Sequence, residues 1–166
     1  MPESVAQTAD KLAIRDVLSR YCRGLDRMDK AMAYSVFSAE APAHYYDIYE
    51  GTGHGFVDWV WEAHAALERH SHQITNTLIE LEGDTASSEA YVTVVLWARD
   101  GDDISEIVTR GRYLDRWEKR EERWLIVHRE HVLDTQSTNG IPDADAPNKE
   151  STRDESDPSF RFIPSA

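Results

Sequence analysis

Asp26 and His72 are the two side chains whose types and settings best suit proton-transfer chemistry. Leu18, Cys22 and Asp26 are spaced by four, so on a helix they form one row. Asp26 then lies at the edge of the apolar stripe, about 100° from its centre. A carboxylate there is partly desolvated, and its pKa rises unless a partner compensates. The plainer reading is a solvated acid at a helix end, or an ion pair with Arg23 or Arg27. His72 sits in a run with strand period, where residues two apart share a face. His70, His72, Ile74, Asn76 and Leu78 therefore point one way, and Ser71, Gln73, Thr75, Thr77 and Ile79 the other. An imidazole titrates near neutrality and suits general acid or base work. The plainer reading is a hydrogen-bonded structural histidine. Asn76, on the same face, is a candidate substrate contact.

Other chemistry finds less support. His64, His70 and His72 invite a metal, but spacing fixes no third ligand, and no HExxH or CxxC occurs. No metal and no cofactor is expected. The common hydrolase, nucleotide and dinucleotide motifs (GxSxG, the P-loop, GxGxxG) do not occur either. His128 and His131 are three apart on a strand and face opposite sides. Arg129, on a Leu125/Val127 face, either binds a developing anion or meets an acid. Cys22 reads as a core residue.

These residues need a scaffold, and the pattern supplies an α+β one. Residues 10–26 have helical period, with Ile14, Val17, Leu18, Tyr21, Cys22 and Leu25 on one stripe. Asp29 caps a second short helix. An extended piece, Ala43 to Tyr49, is broken by Gly51, Gly53 and Gly55, and a third helix covers Phe56 to Arg69. Four strands follow: from about 71 to Gly83-Asp84, Ala90–Ala98, Ile104–Trp117 and Trp124–Leu133, with turns at Asp100-Gly101-Asp102 and Glu121-Glu122. Helices first and hairpin-linked strands after them predict a curved, mostly antiparallel sheet wrapped on the first helix. Three helices are too few to fill its concave face, so a cavity remains. Tyr46 and Trp59 are candidate walls.

The length of 166 residues fits one folded unit, here 1–134, followed by a polar tail, 135–166. Within the tail 135–158 reads as flexible, while Phe160, Phe162 and Ile163 are apolar enough for 159–164 to dock, over the cavity mouth or on a neighbouring subunit. The net charge of −13 argues against a nucleic-acid partner, which needs clustered bases. No apolar run is long enough to span a membrane. The start, Met1-Pro2-Glu3-Ser4, has no basic or apolar leader, and Cys22 is the sole cysteine, so the expected location is cytoplasmic.

Three segments together resemble the SnoaL-like, nuclear transport factor 2-like superfamily. Tyr21 followed by Asp26 is similar to its first-helix motif. Ser71-His72-Gln73-Ile74-Thr75-Asn76 resembles the strand that carries its histidine, and Gly111–Glu118 with Arg123–Ile126 its late hairpin. The resemblance spans roughly residues 8–134. It implies a cone-shaped α+β barrel. It also implies an acid–base pair, Asp26 orienting His72, as in the family's dehydrochlorinase and dehydratase members. The dehydratases add a tyrosine, matched here by Tyr21, and one of them an acid on the second strand, where this chain has Val94. The implied activity is a cofactor-independent lyase or isomerase on a small apolar cyclic or aromatic substrate. The fold equally hosts non-catalytic ligand carriers and accessory β-type subunits of ring-hydroxylating oxygenases. Homo-oligomers, dimers or trimers, are implied as well, with Trp97, Trp117 and Trp124 as candidate interface residues.

Overall fold

Helix α1 (Val5–Asp26) begins where Ser4 and Gln7 form a reciprocal capping box, Ser4 Oγ accepting from the Gln7 amide at 3.2 Å and Gln7 Oε1 from the Ser4 amide at 2.9 Å. The helix therefore starts five residues before the apolar period does. The computed structural model describes residues 3–142, 146–149 and 151–163. α1 buries Ile14, Leu18, Tyr21, Cys22 and Leu25. Near its end Gly24 lets the next helix lie close, since a Cβ there would stand 2.8 Å from the Ala33 amide nitrogen. That helix, α2 (Lys30–Ser35), is capped by Asp29, whose carboxylate accepts from the Met32 amide at 3.0 Å.

The extended piece after it is a hairpin. β1 (Pro42–Tyr45) turns back at Tyr46, which has a φ of 46°, and pairs antiparallel with β2 (Tyr49–Thr52). Helix α3 (Gly53–Ala65) starts at once, with Thr52 Oγ1 accepting from the Gly55 amide at 3.0 Å. Gly53 and Gly55 thus belong to its first turn, and it ends four residues short of Arg69. Four long strands follow: β3 (Arg69–Glu82), β4 (Thr85–Asp100), β5 (Asp103–Arg120) and β6 (Arg123–Ile141).

One six-stranded sheet results, in the order β2-β1-β6-β5-β4-β3, antiparallel except where β1 meets β6. This is the expected cone-shaped α+β arrangement, left open between β2 and β3. Register shifts at Ile74/Thr77, Arg110/Gly111 and Arg116/Trp117 mark where the strands bend. β6 runs past Leu133 because its outer half pairs with Ile104–Arg110. Residues 135–141 are therefore strand, although their polar composition reads as flexible.

The tryptophans expected at a subunit interface are engaged inside the chain. Trp117 and Trp124 are buried, donating at 2.9 Å to Ser88 Oγ and to Asp10 Oδ1, and Trp97 donates to Glu106 at 3.1 Å. Residues 159–163 pack on α1 rather than over the cavity. Arg23 donates to Ser159 Oγ at 3.1 Å and to the Ile163 carbonyl at 2.6 Å, and lies over the Phe160 ring. Phe162 and Ile163 stay exposed, so polar contacts and not apolar burial hold this segment. Pro164, part of the expected docking segment, lies outside the described residues. No helix of the described residues is long and apolar enough to cross a membrane.

Candidate active site

A cavity of about 620 Å³ opens between α3 and the concave face of the sheet. α1 supplies Tyr21 and β3 supplies His72. Tyr45 and Tyr46 come from β1 and its turn, and Phe56, Trp59, Val60 and His64 from α3. Val94, Leu96, Thr109 and Tyr113 come from β4 and β5, and His131, Leu133 and Gln136 from β6. Tyr46 and Trp59 stand at its mouth, 48% and 39% exposed.

Asp26 does not line this cavity. It stands behind His72, and its carboxylate is held there by the strand. The His72 amide donates to Asp26 Oδ2 at 2.9 Å and to Oδ1 at 3.1 Å, while His72 Nδ1 lies 2.7 Å from Oδ1. The two side chains are 15% and 5% exposed. A carboxylate facing Nδ1 fixes the proton on that nitrogen, which leaves Nε2 as the basic nitrogen of a cavity-lining ring. Low local dielectric strengthens the bond.

Tyr21 ends a second polar chain. Arg129 and Asp115, both fully buried, are joined by two bonds of 2.7 and 2.8 Å. Arg129 Nη1 donates to the Tyr45 hydroxyl at 3.4 Å, and the Tyr45 and Tyr21 hydroxyls are 2.8 Å apart. The guanidinium also lies 4.1 Å from the centroid of Tyr113 and 4.5 Å from that of Tyr21. Burial opposes its charge, but Asp115 beside it holds its pKa well above the ordinary value. Burial pushes the Tyr21 hydroxyl well above its usual range, with Tyr45 and Tyr113 adding to it, so Tyr21 stays protonated. If Tyr45 accepts from Arg129 and donates to Tyr21, the Tyr21 proton is left for whatever occupies the cavity.

The structure thus brings Tyr21, His72, Tyr46 and Trp59 to one cavity with Asp26 behind. Two candidates fall elsewhere. Asn76 is exposed, because the bulge after Ile74 takes up Thr75 and Asn76 and shifts the alternation. Arg129 meets an acid and lies beneath the tyrosine rings instead of in the cavity wall. Tyr45 and Tyr113 had no signal in the sequence, and His64 and His131, weighed there only as a metal ligand and as a pair with His128, also line the cavity. Burial lowers the pKa of His64 to about 2 and of His131 to about 4, so both are neutral at physiological pH. Their Nδ1 atoms are buried without a hydrogen-bond partner. The rings of His64, His70 and His72 lie 4.1 to 6.0 Å apart, yet among the described residues no group of three His, Cys, Asp or Glu side chains is arranged to hold a metal ion.

The family described as SnoaL-like domain matches residues 6–130. No curated protein matches the sequence. Among solved structures, LinA type 2, a hexachlorocyclohexane dehydrochlorinase, superposes with a TM-score of 0.75 at 18% identity, covering 86% of this chain and 97% of that one. A protein from Novosphingobium aromaticivorans DSM 12444, assigned as a scytalone dehydratase, gives 0.71 at 17% identity, covering 85% and 97%. A protein from Novosphingobium aromaticivorans DSM, assigned as an aromatic ring hydroxylase, gives 0.70 at 25% identity, covering 81% and 94%.

Proposed function

We propose that this chain, which belongs to the SnoaL-like domain family, is a lyase or isomerase in which His72, oriented by Asp26, takes a proton from carbon. The carrying observation is the 2.7 Å contact between His72 Nδ1 and Asp26 in the cavity wall. His72 Nε2 accepts the proton and the C–H electron pair becomes the new π bond. In an elimination the leaving group departs with its own electron pair and takes a hydrogen bond or proton from Tyr21. In an isomerisation the π pair of an adjacent carbonyl shifts onto its oxygen, which takes a hydrogen bond from Tyr21, and returns when His72 delivers the proton to another carbon. The imidazolium formed on His72 is stabilised by the Asp26 carboxylate.

The cavity suits a small, largely apolar cyclic or aromatic substrate, with Phe56, Trp59 and Tyr113 as ring-sized walls. A non-catalytic carrier has no need of a carboxylate bound to a cavity histidine. An accessory subunit of a ring-hydroxylating oxygenase does not need the dyad either.

The test is turnover of a panel of cyclic substrates bearing a β-hydroxyl, β-halide or β,γ-unsaturated carbonyl, followed by product analysis. His72→Ala is expected to lower turnover by about 10²–10⁴-fold, and Asp26→Asn to lower it too, with melting temperatures near that of the parent. Full activity in a folded His72→Ala protein removes the base assignment. Binding of panel members without any turnover turns the reading to a carrier.

A further inference from the structure

The active-site reading leaves a second, polar cavity unused. It measures about 350 Å³ and lies where the described part of the C-terminal segment covers the edge of β3. Its body side carries Arg27, Arg69 and Ser71. Its other wall is Asn148, Thr152 and Arg153 from beyond β6. His70 and Asp26 also line it, so this cavity borders the dyad from behind, while His72 itself faces the larger cavity.

Several arginines have no carboxylate partner among the described residues, and most of those are exposed. Two of them are partly buried and line this cavity. Among the described residues neither Arg69 nor Arg153 has an Asp or Glu oxygen within ion-pair distance. Their bonds go to main-chain carbonyls, Arg69 to Glu68 at 2.7 Å and Arg153 to His64 at 2.6 Å. The Nε of Arg69 is buried with no acceptor at all. Such a donor loses its water without replacement, which costs more than most surface contacts return.

The other charges around the cavity are taken. Asp26 holds the ring and amide of His72, and Glu106 accepts from Trp97. Arg27 pairs with the buried Asp157 at 3.3 Å, and Asp154 is bound by Ser156. Two guanidiniums of like charge line one half-enclosed space, and burial together with Arg69 draws the pKa of Arg153 down. An oxyanion between them would satisfy both guanidinium ends, since planar guanidinium matches a carboxylate or phosphate in two-point contact.

We propose that Arg69 and Arg153 form a binding site for a small oxyanion, a phosphate or carboxylate group, which pins the C-terminal segment against β3 behind Asp26. This site is independent of the catalytic reading and needs no turnover.

Isothermal titration calorimetry of the full chain tests it, with inorganic phosphate and with acetate as separate titrants, in chloride of matched ionic strength. Saturable binding of one anion per chain is expected. The better titrant tells a phosphate site from a carboxylate site. Arg69→Gln and Arg153→Gln should each weaken binding by about tenfold or more, the value of a lost charge-assisted hydrogen bond. Arg153→Lys, which keeps the charge but loses the fork, should fall between. Hydrogen exchange at residues 151–153 should slow when the titrant saturates the parent and not in Arg69→Gln. No saturable binding of either anion overturns the proposal. So does unchanged affinity in both glutamine variants.

Discussion

Arg129 and Asp115 make the sharpest statement about single residues. Both are fully buried, and their two short bonds satisfy a charge that the core otherwise penalises. Removing one partner strands the other. Asp115→Asn is therefore expected to destabilise the protein by roughly 3–5 kcal/mol in urea unfolding. Replacing both, as Asp115→Leu with Arg129→Met, should recover much of that loss, since a buried pair often breaks even against apolar packing of similar volume. A double variant as unstable as the single one would count against this. The same residues mark how far side chains were legible. The faces that Asp26 and His72 take follow from helix and strand period, because each sits ahead of any irregularity in its element, but their pairing came only with the resemblance to the family. The ion pair does not follow, because Asp115 and Arg129 face each other across β5 and β6 through a register that spacing does not fix. Tyr45 was hidden for a similar reason: its hydroxyl matters only once β1 pairs beside β6 and brings it to Tyr21.

At the scale of elements, bulges decide which face a residue takes. On β6 the inward set is Trp124 and Ile126, then Arg129, His131 and Leu133, then Gln136. The steps of three fall at the two register shifts opposite Arg116/Trp117 and Arg110/Gly111. Strict alternation from Leu125 places Arg129 correctly on the face of His131 but joins it to Leu125 and Val127, the wrong neighbours. β3 repeats the lesson, with Ile74 inward, then Ile79, and Leu78 left 64% exposed. Element types and order were legible because period and turn residues are local. Bulge positions were not, because an extra residue is accommodated by the partner strand. Gly111 is the element-level point that can be tested. A Cβ there would stand 2.3 Å from the Val132 carbonyl and 2.9 Å from His131 Nε2. Gly111→Ala should force β5 from β6 beside the cavity. We expect a fall in thermal stability and weaker ligand binding, whereas Gly140→Ala, open on all sides, should change neither. Equal melting temperatures for the two variants would reject the close-approach argument.

For the whole molecule, the buried imidazoles set a pH limit that net charge does not reveal. His70 and His131 are lowered from an ordinary 6.5 to about 4, and His64 to about 2, burial being the largest cause in each. Their Leu25, Arg129 and mutual histidine neighbours only adjust that. In the unfolded chain all three take protons as pH drops through about 6.5. In the folded chain they refuse them until about 4 or lower. The unfolded state therefore binds more protons across this window, and stability falls as pH falls. The slope is at most about 1.4 kcal/mol per pH unit for each such histidine, and partial exposure reduces it. Carboxylates held below their usual range, such as Asp157 and Asp10, add their own loss only under about pH 4. Relief of the −13 net charge on acidification works the other way, but it is spread over the surface and screened by salt. Melting followed by circular dichroism at 0.15 M salt should thus show a steady fall in Tm from pH 7 to 4.5. His131→Gln, which removes one suppressed proton site, should fall less steeply over the same range. A Tm that holds level or rises on going to pH 4.5 would mean that these rings accept protons in the folded protein, and the neutral histidine lining of the cavity would have to be given up.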